Sequence, residues 1–143
     1  MKIETNFYTI TAYENLVCTE FFSSWDETVV QNFVKDLRAI GLQLYTDKAW
    51  AILSDRTKWY LYTPEAEKLL IEAATSVKTK LTHYAVVTGP EHRAVKKWQS
   101  NEIIKNGVVF EVKFFEKVKD AEEWLASFGY RMTPLAVESK SLG

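Results

Sequence analysis

Two short polar stretches of this chain hold residue types able to do chemistry. One is Ser54-Asp55-Arg56-Thr57, after the apolar run Ala49-Trp50-Ala51-Ile52-Leu53. The other is Thr88-Gly89-Pro90-Glu91-His92-Arg93, after His83-Tyr84-Ala85-Val86-Val87. Each apolar run reads as a buried strand. Ligands of open α/β sheets bind beyond the carboxyl ends of strands, near a switch in strand order. If the two strands are neighbours, Asp55, Thr57, Thr88 and His92 gather around one crevice, with Arg56 and Arg93 beside them. The free amides of a helix starting near Pro90 would add a pole that favours anions. Asp55 and His92 acting as acid and base would make a small enzyme. The competing reading is local, because Asp and Thr satisfy turns and helix ends by their own hydrogen bonds.

A third stretch, Trp59-Tyr60-Leu61-Tyr62, puts four large side chains where a loop would be polar. Trp59, Tyr60 and Tyr62 could face a partner, line a pocket, or cover the end of the core beneath the next helix. His83 and His92 are the two histidines and Cys18 the one cysteine. None lies at metal-ligand spacing from another, so no metal site and no intrachain disulfide are expected. Cys18 reads as a small buried apolar residue. No Gly-x-Gly-x-x-Gly, P-loop or Gly-x-Ser-x-Gly pattern occurs, so no cofactor and no catalytic residue are assigned.

The elements that must position these residues follow from periodicity. Phe7–Ala12 and Leu16–Phe22 read as strands of an antiparallel hairpin, stopped at Ser23-Ser24. Ser24-Trp25-Asp26-Glu27 has the form of a capping box opening a helix to Ile40, with Gly41 as its left-handed cap. Lys48–Ser54 is the next strand, and Asp55–Tyr62 a polar turn passing into the aromatic stretch. Thr63-Pro64 opens a second helix with Leu69, Leu70, Ala73, Val77 and Leu81 inward. His83–Thr88 is a strand, Gly89-Pro90-Glu91 starts a third helix, and Asn106-Gly107 is a turn. Val108–Phe115 is the last strand. A short helix from Asp120 follows, with Trp124, Leu125 and Phe128 inward and Gly129 closing it. The order ββαβαβαβα predicts one layered α/β domain over residues 1–129, a mixed five-stranded sheet flanked by helices. Residues 130–143 read as a tail packed on the domain or on a second copy.

With 143 residues, 47% of them apolar and 26% charged, the chain can bury a core without staples. Its 18 basic and 19 acidic residues argue against nucleic-acid binding, which needs a basic surplus. Residues 1–6 lack a signal-peptide core, and no stretch nears the roughly 18 apolar residues of a membrane span, which points to a cytoplasmic protein.

The closing Val112-Lys113-Phe114-Phe115 and Asp120-Ala121-Glu122-Glu123-Trp124-Leu125, with the preceding order of elements, resemble the uncharacterised bacterial STAS/SpoIIAA-like family. The resemblance spans roughly residues 5–128. It implies the fold of anti-sigma-factor antagonists and, more distantly, of CRAL-TRIO lipid-binding domains. Classical antagonists are switched by phosphorylation of a serine after the third strand, in an Asp-Ser-x-Gly-like context. The matching stretch here is Ser54-Asp55-Arg56-Thr57-Lys58, with no glycine and with the serine before the aspartate, so the switch is not carried over. The expectation is a non-enzymatic binding or regulatory module, acting as a homodimer on a protein or small ligand. A carrier of an apolar ligand is the alternative, and it requires an enclosed apolar cavity of at least about 300 Å³ under the second helix.

Overall fold

The computed structural model describes residues 1–75, 79–88 and 110–135. Its elements are β1 (Lys2–Glu4), β2 (Tyr8–Ala12), β3 (Leu16–Trp25), α1 (Glu27–Leu44), β4 (Trp50–Tyr62), α2 (Pro64–Thr75), β5 (Leu81–Val87), β6 (Glu111–Phe115) and α3 (Val118–Ala126). The predicted third helix and the Asn106-Gly107 turn lie outside the described residues. So do Val77, the first residues of the predicted last strand, and residues 136–143 of the tail.

The sheet has six strands rather than five, in the order β1-β2-β3-β4-β5-β6. β1 to β3 run antiparallel to their neighbours, and β3 to β6 are mutually parallel. The additional strand, β1, carries too short a pattern to read in advance. Pairing holds it in place, with Lys2 opposite Thr11 and Glu4 opposite Thr9. Its exposed Lys2 and Glu4 form an ion pair at 2.8 Å, and charges of this kind blunt a sheet edge against further pairing.

The strand order never reverses, so the sheet has no topological switch point, while the two strands expected to flank a crevice, β4 and β5, are neighbours. Crossovers of one hand, moving one way across a sheet, lie on one face. α1 and α2 accordingly share a face, over a core that includes Ile10, Phe21, Phe33, Trp50 and Ile52. α3 covers the opposite face, where Ala121 and Leu125 pack on Leu53, Ala85 and Val87.

Local boundaries differ where tertiary packing overrides a local signal. β3 does not stop at Ser23-Ser24. It continues through Ser23, at φ +60°, to Trp25, which is buried with its indole N–H donating to the carbonyls of Phe7 and Phe22, each at 3.0 Å. The cap of α1 is therefore Asp26, whose Oδ1 accepts from the Val29 amide at 3.0 Å, and not Ser24. Gly41 does not end α1. It sits inside the helix, and Trp50 packs so close that a Cβ there would lie 3.4 Å from the indole. Thr63 does cap α2, accepting from the Ala66 amide at 3.0 Å. Gly129 closes the segment after α3 at φ +90°, a conformation glycine adopts without strain. Phe128 lies beyond the helix end and is half exposed rather than inward, its ring stacked on His83 at 4.1 Å. Tyr130 and Leu135 are buried on the domain, and the Glu14 amide donates to the Thr133 carbonyl at 2.8 Å.

Candidate functional site

Asp55 to Tyr62 is not a turn. It is the second half of β4, and two register shifts against β3 lie within it, a β-bulge at Arg56-Thr57 and an extra residue at Tyr60. Glu20 pairs with Asp55 and Phe22 pairs with Lys58, so Arg56 and Thr57 together face Phe21. A bulge adds one residue to a strand and resets which face the later side chains take. Before it, Trp50, Ile52, Ser54 and Arg56 alternate onto the α1–α2 face. After it, Trp59 is returned to that same face, only 4% exposed, edge-on to Phe21 at 5.0 Å and to Trp25 at 5.3 Å. Trp59 is thus core, which corrects the reading that places it on a contact surface. Tyr60 and Tyr62 follow in the same strand, and their side chains lie outside the described set.

The bulge separates Arg56 from its neighbours. Asp55 shares its parity with Ala51 and Leu53, on the α3 side. Its Oδ1 accepts from the Thr57 amide at 3.0 Å and from the Thr57 hydroxyl at 2.7 Å. That is local turn chemistry holding the bulge. Arg56 points the other way. Its Nε donates to Ser54 Oγ at 3.1 Å and its Nη2 to Tyr84 Oη at 3.2 Å. The guanidinium lies 4.9 Å from the Phe21 ring centre and 5.4 Å from that of Trp59. Thr88 lies one residue past the Asp55–Val87 pair and is buried, its amide donating to the Phe115 carbonyl at 3.0 Å. Asp55, bonded to Thr57, and Thr88 thus stand on adjacent strands, one residue apart in register. His92 and Arg93 lie outside the described residues.

Between α1, α2 and the sheet lies a cavity of about 420 Å³. α1 contributes Leu37 and Gly41 to its wall, β4 contributes Trp50 and Ile52, and α2 contributes Leu70 and Ala73. Trp50 is held rigidly, stacked on Tyr45 at 4.7 Å with an interplanar angle of 7°. Its indole N–H donates to Thr79 Oγ1 at 2.8 Å. Tyr84, the residue that binds Arg56, also lines the cavity. Glycine at position 41 leaves this wall without a side chain.

Comparison with solved structures places the architecture. An uncharacterized protein of the DUF3478 family with a SpoIIAA-like fold, from Shewanella loihica PV-4, superposes with a TM-score of 0.62. The match covers 87% of this chain and 98% of that one, at 16% identity. This chain has a SpoIIAA-like fold. At that identity the likeness shows the fold alone. No protein-family model matches the chain, and no curated protein matches it.

Within the SpoIIAA-like frame, Ser54 stands in the stretch where the classical switch serine was sought. It is fully buried in the middle of β4, paired on both sides, and its hydroxyl accepts from Arg56. A kinase has no access to it in the folded domain. Among the described residues no group of three or more His, Cys, Asp or Glu is placed to hold a metal, and no helix is long and apolar enough to cross a membrane.

The titratable groups in the core favour a protonated interior. Burial, then the negative charges of Glu122 and Glu20, pushes the Cys18 thiol up to about 12 from its ordinary 9.0. Burial raises the Tyr45 phenol in the same direction, with Cys18 adding to it. A raised folded-state value means the stabilisation is fully present below about pH 9 and is lost as pH climbs towards about 12. Cys18 is thus expected to ignore a thiol reagent such as Ellman's at pH 8 until urea unfolds the chain. The urea midpoint is expected to fall between pH 9 and pH 11. Rapid labelling of the native protein would contradict this.

Proposed function

We propose that this SpoIIAA-like domain is a non-enzymatic binding module that holds a small apolar molecule between α1 and α2. The observation that carries the reading is the cavity of about 420 Å³ walled by Leu37, Trp50, Ile52 and Leu70. Small-molecule pockets span about 300–1,000 Å³ and are lined mainly by apolar side chains. The apolar-carrier alternative requires an enclosed void of at least about 300 Å³; this cavity has the volume and is open on the side of the exposed Arg38 and Leu42. The rival reading, a protein-contact patch anchored on Trp59, loses its anchor because that indole is core. An acid–base role for Asp55 is disfavoured by the engagement of its carboxylate with Thr57.

The test uses an uncharged probe, 1-decanol, followed by thermal unfolding and by the fluorescence of the wall residue Trp50. Saturable binding should raise the stability of the wild-type protein, by about 2.7 kcal/mol when the free probe reaches 100 times its Kd. Each methylene removed from the probe should weaken binding by roughly 0.8 kcal/mol, about fourfold. Gly41→Leu and Ala73→Phe fill the cavity from opposite walls and should abolish the effect while keeping the fold. A wild-type protein that shows no saturable shift with the alcohol, or a shift that both filled variants retain, rejects the pocket as the binding site.

A further inference from the structure

We infer that Arg56 is the centre of a second, separate site on the sheet, a polar niche that takes the oxyanion group of a carboxylate or a phosphate. The niche shares only Tyr84 with the wall of the cavity between α1 and α2, and it does not depend on that cavity being filled.

Hydrogen bonds hold the group together. Arg56 Nε donates to Ser54 Oγ at 3.1 Å, and Nη2 donates to Tyr84 Oη at 3.2 Å. A guanidinium has five N–H donors, so with two committed three remain, among them the end of the fork between the two terminal nitrogens. These three have no partner among the described residues, and no carboxylate there lies within ion-pair distance of Arg56. The neighbouring Asp55 shares its parity with the α3 side of the sheet and is engaged with Thr57. The hydroxyls of Ser54 and Tyr84 each accept from Arg56, and neither gives its own hydrogen to a described acceptor. One strand over, Thr19 pairs with Ser54 and shares its face. It is fully buried, and its hydroxyl has no hydrogen-bond partner. Buried hydroxyls left unpaired are costly. Each polar side chain gathered here thus has a hydrogen to give, and no acidic side chain receives one.

The cation is also partly stripped of water. Its guanidinium lies 4.9 Å from the Phe21 ring centre and 5.4 Å from that of Trp59, and the residue is half-buried. Cations taken out of water are normally paired, and ring contacts offset only part of the penalty. Ser54 and Tyr84 belong to the adjacent strands β4 and β5, so the fork is held in a fixed geometry. A fork fixed along one side with its end free matches the two oxygens of a carboxylate or phosphate. An oxyanion supplies the acceptors and the negative charge together, whereas a water supplies no charge. Because Arg56 is half-exposed, an anion reaches it from solvent without opening the core.

The test is heteronuclear NMR of the full chain, following the Arg56 side-chain N–H and the backbone amides of Ser54 and Tyr84. The probes are inorganic phosphate, acetate and the neutral acetamide, with chloride keeping the ionic strength constant. Charge-assisted bonds to one fixed guanidinium should give half-saturation at about 1–10 mM for phosphate or acetate and no saturable shift for acetamide. Whichever anion binds tighter identifies the group. Arg56→Gln should weaken that binding about 10- to 100-fold, read at the two amides. Arg56→Lys keeps the charge without the fork, should be intermediate, and serves if Arg56→Gln does not fold. Lys58→Gln removes an exposed cation two residues along and should bind as the wild type does. The inference is overturned if neither anion saturates the wild-type protein by about 100 mM, or if acetamide shifts the same resonances as acetate does. Equal losses in Lys58→Gln and Arg56→Gln would reduce the effect to general charge attraction and overturn it as well.

Discussion

Replacing Trp59 with alanine is expected to remove about 3–5 kcal/mol of stability, measured as a fall in the urea midpoint at unchanged slope. Domains have only about 5–15 kcal/mol to lose, so much of the variant should be unfolded at physiological temperature. The size follows from position. The indole is 4% exposed, edge-on to Phe21 and Trp25, within an aromatic cluster that also holds Phe33 and Tyr8. A surface tryptophan reserved for a partner would behave differently, since exposed positions usually change stability by less than about 0.5 kcal/mol. A midpoint within that margin of the wild type would restore the contact-patch reading.

Trp50→Ala is the second large effect, about 3–5 kcal/mol by the same cavity argument. Here the loss has a further consequence, because the indole is a wall of the ligand pocket as well as a core residue. Its removal leaves Tyr45 without a stacking partner, leaves the Thr79 hydroxyl without its donor, and enlarges the space between α1 and β4. Apolar voids of this kind stay dry and accept small aromatic guests. Added indole is therefore expected to raise the melting temperature of Trp50→Ala more than that of the wild type, by mass action. Equal shifts in the two proteins would show that position 50 does not shape the pocket.

The two tryptophans show where a linear reading succeeds and where it stops. Trp50 lies in an uninterrupted apolar run, and that run alone implies a strand buried on both faces. Trp59 follows four polar residues, Asp55 to Lys58, and local preference there favours a turn. What keeps those residues in the strand is pairing with β3 from Leu16 to Trp25, together with a bulge at Arg56-Thr57 and a second register shift at Tyr60. Such pairing depends on a partner more than thirty residues away, so no window around Asp55 reveals it. Gly41 follows the same logic. Glycine after a helical stripe is an ordinary stop signal, but here α1 runs through Gly41 to Leu44, in helical backbone that any residue can adopt.

Composition, periodicity and caps by themselves determined the α/β class, the β2–β3 hairpin, the start of α2 at Thr63-Pro64 and the burial of Leu125 on α3. Each of these is set by forces acting within a few residues: alternation, helical spacing and side-chain caps. The edge strand β1, the bulge, the burial of Trp59 and the cavity between α1 and α2 were decided only by the tertiary structure. So was the seating of Arg56 against Ser54, Tyr84 and the rings of Phe21 and Trp59. All of these depend on which distant surfaces meet, and on the volume and charge left over once they have met.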